Sequence, residues 1–305
     1  MKLLDGKMVA SKIKTGIKSQ IERLDLTPGL GIILVGDRKD SRTYVNMKKK
    51  TCAYLGIFVK EICLEETVNE RQILAKLEEL NNDSKIHGIL IQLPLPNHIN
   101  QATILSKINL EKDVEGFNPI NVGLLTQNKL SECCVPCTPL GCIKLLDEYE
   151  VDLKGKHVVV VGKSDVVGLP ISLLCLHREA TVTICHIHTT DLISKTKEAD
   201  VLIVACGKPG LITAKHVKEG VIVIDVGINH VKQNTGISEE LSTKYKIVGD
   251  VSFDEVSKKA SLITPVPGGV GPMTIAMLMN NLFHLAQLKN SKLSKKINAE
   301  TIRYY

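Results

Sequence analysis

The chain has 305 residues, of which 44% are hydrophobic and 24% are charged, with a formal net charge of +6. A chain of this length and apolar content can form two domains of ordinary size, each with its own core. Most of the net charge lies in residues 289–305, where four lysines and one arginine outnumber a single glutamate. With no Trp, four Phe and no basic stripe interleaved with aromatic residues, the composition argues against a nucleic-acid-binding surface. We expect the basic segment to be a flexible tail.

The nine cysteines and the lack of a recognisable targeting segment indicate a reducing compartment. Cys63, Cys185 and Cys206 lie in apolar runs, which favours buried free thiols over disulfides. No apolar run reaches the roughly 18 residues that a membrane-spanning helix requires. We therefore expect a cytoplasmic protein that has no membrane partner.

The first 96 residues alternate between helical patterns and short apolar runs. An amphipathic pattern predicts a helix from about Asp5. The run 88–93 is nearly all apolar, which is typical of a strand buried on both faces of a parallel sheet, and Pro94 ends it. The other predicted elements of this series are a strand at 31–35, a helix at 41–55 that ends at Gly56, a strand at 57–63 and a helix at 69–80.

A second alternating series begins after residue 156 and has the pattern of a doubly wound, Rossmann-like parallel sheet. It predicts strands at 158–161, 182–184, 201–205 and 221–226, with a helix from about Pro170. We therefore predict the α/β class, with two α/β domains flanking a cleft. The predicted first domain comprises residues 1–140 and a C-terminal helix at 272–288, the second comprises residues 141–271, and the tail is 289–305.

The first series contains two groups of candidate site residues. Tyr44 and Lys48 lie one helical turn apart, so a ring and an ammonium can address one ligand, although a solvated helix face is the alternative. Asp113 lies in a loop that follows the strands. A carboxylate there can pair with adjacent N–H donors of a heterocycle, or it can belong to an ordinary surface turn.

In the second series, the turn from Gly162 to Gly168 joins a strand to a helix start, whose N–H groups can hold phosphate. Its spacing departs from G-x-G-x-x-G, and an ordinary connection is the alternative. His186 and His188 follow the next strand. In a dinucleotide-binding fold this position is close to the adenosine ribose, and the alternative is that both histidines are solvated loop residues.

Three prolines and three glycines give segment 263–274 a rigid backbone that a ligand can approach closely, unless the segment is only a turn that starts a helix. Cys134 and Cys137 have no second ligand pair at a zinc-finger distance, so we expect no metal.

Six motifs occur together and in order. They are Tyr44-x-x-x-Lys48, Gln92-Leu93-Pro94-Leu95-Pro96, Asp113-Val114-Glu115-Gly116, Pro136-Cys137-Thr138-Pro139, Gly162-x-Ser164-x-x-x-Gly168 and the segment 263–274. With these motifs, about residues 1–288 resemble bifunctional methylenetetrahydrofolate dehydrogenase/cyclohydrolases. The resemblance implies oxidation of 5,10-methylenetetrahydrofolate to the methenyl form by hydride transfer to NADP, followed by hydrolysis to 10-formyltetrahydrofolate at the same site.

The resemblance also implies residue roles. Lys48 moves protons during hydrolysis, Gln92 orients it, Tyr44 packs on the folate, and Asp113 binds the pterin. Other implied substrate contacts are Ile91, Leu93, Pro267, Gly268, Gly269, Val270 and Gly271. Implied cofactor contacts are Gly162, Lys163, Ser164, Gly168, His186, Ile187, Ala205, Cys206, Gly207, Ile228 and Thr274.

Two departures from the family pattern bear on the cofactor. Lys163 can still supply charge to a 2′-phosphate, but Ile187 cannot, so NADP is expected and NAD remains open. A catalytically silent folate- or nucleotide-binding homologue is the alternative from another class, although Lys48, Gln92 and Asp113 are all retained. The resemblance further implies a homodimer. A basic cluster suggests attraction for polyglutamylated folate; its members are Arg38, Lys39, Arg42 and Lys49.

Overall fold

The computed structural model describes residues 1–232 and 245–302, with side chains described as far as residue 291. The chain divides into two compact units, one formed by Met1–Ser11 with Thr138–Thr274 and the other by Lys12–Cys137 with Ile275–Tyr305. The first eleven residues differ from the predicted boundaries, because Lys2–Leu3 pairs with Leu262–Ile263 and Leu4 is fully buried.

The elements of the first half of the chain follow the predicted alternation. They are β1 (Lys2–Leu3), α1 (Gly6–Arg23), β2 (Gly29–Val35), α2 (Lys39–Leu55), β3 (Phe58–Leu64), α3 (Glu70–Asn82), β4 (Gly88–Ile91), α4 (Gln101–Ser106), α5 (Pro119–Thr126) and α6 (Cys137–Glu148), with a 3-10 turn at Leu110–Lys112.

Within the described residues 12–137, three parallel strands form a sheet in the order β3-β2-β4. Every residue of β2 and β4 is buried, as their apolar runs predict. Single residues define where the adjoining helices end and begin. Gly56 ends α2 in the left-handed region at φ 73°, and Asn69 begins α3 with a reciprocal capping box to Gln72.

The second half of the chain contains β5 (His157–Val161), α7 (Gly168–His177), β6 (Thr181–Cys185), α8 (Leu192–Lys197), β7 (Val201–Val204), β8 (Ile222–Asp225), β9 (Asn229–Lys232), β10 (Tyr245–Val248), α9 (Phe253–Val256), β11 (Leu262–Ile263) and α10 (Val270–Ile302), with a 3-10 turn at Ala214–His216.

The larger sheet of the described chain has six strands in the order β1-β11-β8-β7-β5-β6, and all of its pairings are parallel. The order changes direction at β5, which lies between β6 and β7. Crevices at the carboxyl ends of strands beside such a point are where doubly wound sheets bind ligands. The predicted α/β class with a Rossmann-like parallel sheet is confirmed.

The last helix extends beyond its predicted limits. The sequence predicts a helix at 272–288, whereas α10 begins at Val270 and ends at Ile302. No glycine or proline follows Pro272, so no residue type that breaks helices interrupts the segment. Most of the predicted tail therefore lies within α10, and residues 303–305 lie outside the described residues.

All nine cysteines lie in the described part of the chain, and all are free thiols. Cys185 is buried and Cys206 is half-buried, but the prediction for Cys63 was wrong, because this residue is exposed on the edge strand β3. Loss of solvation raises the pKa of every one of the nine thiols, to about 12 at Cys52 and Cys175. None of the helices in the described ranges is long and apolar enough to span a bilayer.

Candidate active site

Lys48 lies on the buried side of α2, and its side chain is held by an amide from the adjacent sheet. The residue is only 7% exposed, and its Nζ donates a hydrogen bond of 3.0 Å to Gln92 Oε1. Tyr44, one turn earlier, is half-buried, and this loss of solvation raises the pKa of its hydroxyl. The spacing of one helical turn therefore places Tyr44 and Lys48 on the same face of α2.

The orientation of the Gln92 amide is set by its own neighbourhood. Gln92 follows β4, and its backbone N–H donates to Ile33 O at 2.9 Å. Its Nε2 donates to Leu93 O at 2.9 Å, which leaves Oε1 directed at the lysine. Ile91 has no exposed surface and belongs to the core of this unit, so any contact of Ile91 with a ligand is limited to its backbone.

Asp113 is enclosed within its own loop. It has no exposed surface, and its Oδ1 accepts from the N–H of Gly116 at 3.0 Å. Its Oδ2 accepts from the N–H of Asn118 at 2.8 Å and from Asn121 Nδ2 at 2.7 Å. Burial raises the pKa of the Asp113 carboxyl, while these hydrogen bonds act in the opposite direction. The carboxylate thus holds the shape of the loop from inside.

Glu115, two residues later, is close enough to Lys48 for the charges of the two side chains to interact. It is partly buried, and loss of solvation raises its pKa from 4.5 to about 7, although the nearby Lys48 ammonium lowers it. Gly116 permits this turn, since its φ is 70° and a Cβ there would lie 2.2 Å from the carbonyl oxygen of Cys134. Tyr44, Lys48, Gln92 and Glu115 are therefore the candidate site residues of this unit.

Asn281 of α10 fixes the backbone on either side of this loop. Its Nδ2 donates to Val114 O and to Val135 O, at 3.0 Å each, and Cys137 Sγ donates to the same Val114 carbonyl at 3.3 Å. The carbonyl between Asp113 and Glu115 is therefore held by two donors.

The proline- and glycine-rich segment packs against the start of α1, within the unit that contains the six-stranded sheet. Lys7 N donates to Gly268 O at 2.9 Å, and a Cβ on Gly6 would lie 1.8 Å from Gly269 O. Gly268 has φ 116°, which favours glycine. Of the predicted ligand contacts in this segment, Pro267 is exposed and Gly268 and Gly271 are partly exposed, whereas Gly269 and Val270 are buried.

The turn between β5 and α7 has the close packing that a dinucleotide site needs. Gly162 has φ 130°, and a Cβ there would lie 2.1 Å from Ala205 O. A Cβ on Gly168 would lie 2.2 Å from Gly162 O. Ser164 Oγ accepts from the N–H groups of Val167 and Gly168 at 3.3 Å each. Only glycine fits at both ends of this turn, so its backbone suits the close approach of a phosphate.

The other predicted cofactor contacts have side chains of different character. Lys163 is exposed, and Ile187 is 91% exposed. His186 Nδ1 accepts from the His188 N–H at 3.2 Å. Gly207, after β7, has φ 66° and open space where a Cβ would lie, and Ile228, after β8, is 40% exposed. Thr274 Oγ1 pairs with Thr138 Oγ1 at 3.0 Å.

Two site features escaped the sequence-based reasoning. Glu115 lies two residues after Asp113, the carboxyl that was chosen, and no sequence signal in the loop separates the two. Asp250, which accepts hydrogen bonds from the Cys206 and Gly207 N–H groups, lies far away in sequence and carries no motif signal. Across residues 1–232 and 245–291, no group of three or more His, Cys, Asp and Glu side chains is placed to hold a metal ion.

Two family models and a close relative match most of the chain. Residues 4–115 match the tetrahydrofolate dehydrogenase/cyclohydrolase catalytic-domain model, and residues 136–290 match the NAD(P)-binding-domain model of the same family. The bifunctional protein FolD of Nautilia profundicola is 49% identical over 290 residues, covering 94% of this chain and 98% of the relative.

Two solved structures are similar over nearly the whole chain. FolD methylenetetrahydrofolate dehydrogenase/cyclohydrolase from Campylobacter jejuni is 48% identical, with a TM-score of 0.88 and coverage of 95% of this chain and 99% of that one. The Trypanosoma brucei enzyme, complexed with NADP cofactor and an inhibitor, is 37% identical, with a TM-score of 0.89 and coverage of 93% and 97%. The chain therefore belongs to the tetrahydrofolate dehydrogenase/cyclohydrolase family.

Proposed function

We propose that this protein oxidises 5,10-methylenetetrahydrofolate to 5,10-methenyltetrahydrofolate and hydrolyses that product to 10-formyltetrahydrofolate. The observation that carries the proposal is the buried Lys48 ammonium, which is held by Gln92 and interacts electrostatically with Glu115, in a chain that matches both domains of this family. The hydrogen-bonded lysine supports the hydrolytic half in particular, since hydride transfer itself needs no base.

Lys48 is the proposed proton-transfer group. Addition of water to the methenyl carbon and opening of the ring both move protons, and a positioned side chain accelerates such steps. Gln92 accepts one N–H of Lys48 and thereby fixes the direction of the nitrogen. Tyr44 is proposed to pack its half-buried ring against the folate.

Glu115 is the proposed pterin-binding carboxylate, in place of Asp113. Both oxygens of Asp113 already accept hydrogen bonds from Gly116, Asn118 and Asn121, and the residue has no exposed surface. Glu115 is partly exposed beside Lys48 and can accept the adjacent N–H donors of a pterin ring. Asp113 is then a residue that shapes the loop on which Glu115 is presented.

NADP is the proposed cofactor, and NAD is the second candidate. When it is bound, the dinucleotide accepts the hydride released by the folate. The backbone of Gly162, Ser164 and Gly168 is proposed to hold its phosphates, because a glycine-lined turn at a helix start suits an anion. Lys163 supplies a positive charge for a 2′-phosphate, whereas the exposed Ile187 supplies none.

Replacement of Lys163 by Ala is expected to raise the KM for NADP about fivefold and to leave the KM for NAD nearly unchanged, because only NADP carries the extra phosphate. Initial rates with each cofactor measure the effect. An equal rise for both cofactors would mean that Lys163 does not read the 2′-phosphate.

The proposed function is tested by following the absorbance of reduced cofactor and of methenyl-folate separately, with NADP and with NAD. We expect reduction of the cofactor and, with methenyl-folate as the starting substrate, hydrolysis in the absence of any dinucleotide. A protein that binds folate but catalyses neither step would instead be a silent homologue.

We further propose that the basic start of α2 attracts the acidic tail of polyglutamylated folate. Arg38 pairs with Asp40 at 2.7 Å, Arg42 with Asp37 at 2.5 Å, and Lys49 with Glu61. An acidic tail would have to compete with these carboxylates. Equal KM values for mono- and polyglutamylated substrate would contradict the idea.

A homodimer in the cytoplasm completes the proposal. The exposed apolar side chains of Val231, Tyr245 and Ile247 on β9 and β10 support an association surface, and the nine free thiols support a reducing compartment. Sedimentation of the purified protein as a monomer would contradict the first part.

A further inference from the structure

Asp250 is a buried carboxylate that joins two loops of the unit containing the six-stranded sheet. It has no exposed surface. Its Oδ2 accepts from the backbone N–H of Cys206 at 2.8 Å and of Gly207 at 2.9 Å. Its Oδ1 accepts from Asn229 Nδ2 at 2.8 Å. One side chain therefore fixes both the loop after β7 and the first residue of β9.

A second buried carboxylate, Asp225 at the end of β8, holds Asp250 in place. Asp225 Oδ1 accepts from the N–H of Gly227 and of Asp250, and its Oδ2 accepts from the Val251 N–H, at 3.0 Å in each case. Burial raises the pKa of Asp225 to about 6. The segment around Asp250 is thus anchored to the strand that leads into Ile228.

Two glycines allow the carboxylates to come this close to the backbone. A Cβ on Gly227 would lie 2.3 Å from Asp250 Cγ, and a Cβ on Gly249 would lie 1.8 Å from Asp225 Oδ2. The N–H of Asp225 also donates to Thr264 Oγ1 at 2.7 Å, at the start of the proline- and glycine-rich segment. The Cys206–Gly207 loop, the Gly227–Ile228 loop and the segment at Thr264 follow β7, β8 and β11, at the carboxyl ends of strands of the six-stranded sheet. This is where such a sheet binds its ligands.

Burial of carboxylates is costly, and the hydrogen bonds found here are to amide N–H groups rather than to a cation. Stability alone is a weak reason for such an arrangement, since apolar residues can replace buried charges without loss. Geometric control is a stronger reason, because each carboxylate orients several backbone groups at once.

We propose that Asp250 is a positioning residue for the dinucleotide. It acts through the Cys206–Gly207 backbone and, through Asn229, on the backbone at Ile228. The inference rests on the proposed function and on the cofactor contacts that the family resemblance implies at Cys206, Gly207 and Ile228. Asp250 itself touches no ligand and moves no proton.

Asp250→Asn tests the proposal with little change of shape. If the amide oxygen still accepts from Cys206 and Gly207, the new NH2 group faces Asn229 Nδ2, and two donors oppose each other. We expect the Kd for NADPH, measured by titrating its fluorescence, to rise about tenfold. Hydrolysis of methenyl-folate without dinucleotide is expected to stay within about twofold of the parent rate.

The reciprocal variant Asp250→Asn/Asn229→Asp restores the pair with donor and acceptor exchanged. We expect it to recover the affinity for NADPH to within about threefold of the parent. Asn229→Ala removes the hydrogen bond to Asp250 and a longer one, of 3.4 Å, to Val248 O at a partly exposed position. It is expected to raise the Kd about threefold and provides the test if Asp250→Asn does not fold. Asp254→Asn, on the exposed side of α9, is the matched control.

Three results would overturn the inference: an unchanged Kd in both Asp250→Asn and Asn229→Ala, a parallel loss of hydrolysis and binding, or no recovery in the reciprocal variant. Failure of the proposed function has a different signature, because the parent protein itself would then show neither activity with folate.

Discussion

Lys48→Ala is expected to lower the rate of methenyl-tetrahydrofolate hydrolysis by about 100-fold or more, which is the range that a positioned acid–base group supplies. Lys48 is 7% exposed and its nitrogen is directed by Gln92 at 3.0 Å, whereas Ala has no group that can transfer a proton. Hydride transfer needs positioning more than a base. The dehydrogenase rate should therefore fall much less than the hydrolysis rate.

Both activities are measured on the same preparation, by the absorbance of methenyl-folate and of reduced cofactor. Lys48→Arg keeps the positive charge but cannot give up its proton near neutral pH, so it separates proton transfer from charge. Lys50→Ala, on the exposed side of α2, is the matched control. Undiminished hydrolysis in Lys48→Ala would show that another group transfers the proton.

Glu115→Gln is expected to stabilise the ligand-free protein at pH 8 and to raise the KM for folate about tenfold. The folded-state pKa of Glu115 is raised from 4.5 to about 7, so its favourable contribution is complete below about pH 4.5 and is lost as the pH rises towards 7. At pH 8 the parent carries a poorly solvated carboxylate that the amide lacks. For a partly exposed group, we expect a gain of about 2 kcal/mol in the free energy of unfolding.

Urea unfolding at pH 5 and pH 8 checks the stability of this variant. The difference between Glu115→Gln and the parent should grow with pH, whereas Glu78→Gln on the exposed side of α3 should show no such trend. The loss of folate affinity follows because a neutral amide makes weaker hydrogen bonds to the pterin N–H groups than a carboxylate does. An unchanged KM for folate would remove Glu115 from the proposed site.

The longer elements could be predicted because their patterns are local. Buried strands such as β2, β4 and β5 are continuous apolar runs, and Gly56 and Asn69 mark helix ends by their own conformations. The two-residue strands β1 and β11 have no such pattern. They pair across about 260 residues of sequence, and only the completed sheet defines them.

The candidate site divides in the same way. Tyr44 and Lys48 share a helix face because of their spacing, which can be seen directly in the sequence. The Lys48–Gln92 hydrogen bond joins residues 44 positions apart, and only the family resemblance suggested it. The sequence also does not show whether the carboxyl of Asp113 or that of Glu115 is enclosed by the loop. The Asp113 carboxylate is enclosed because the Asn118 N–H and Asn121 Nδ2 donate to it.

The nine free thiols have a practical consequence for following the opening of this protein. A thiolate is the species that alkylating reagents attack, and loss of solvation raises the pKa of every cysteine in the folded chain. The cysteines occur in both compact units, at Cys52 and Cys134 in one and at Cys175 and Cys185 in the other. The chain therefore carries its own set of labelling probes, from which the opening rate of each unit can be read without introducing a single foreign residue.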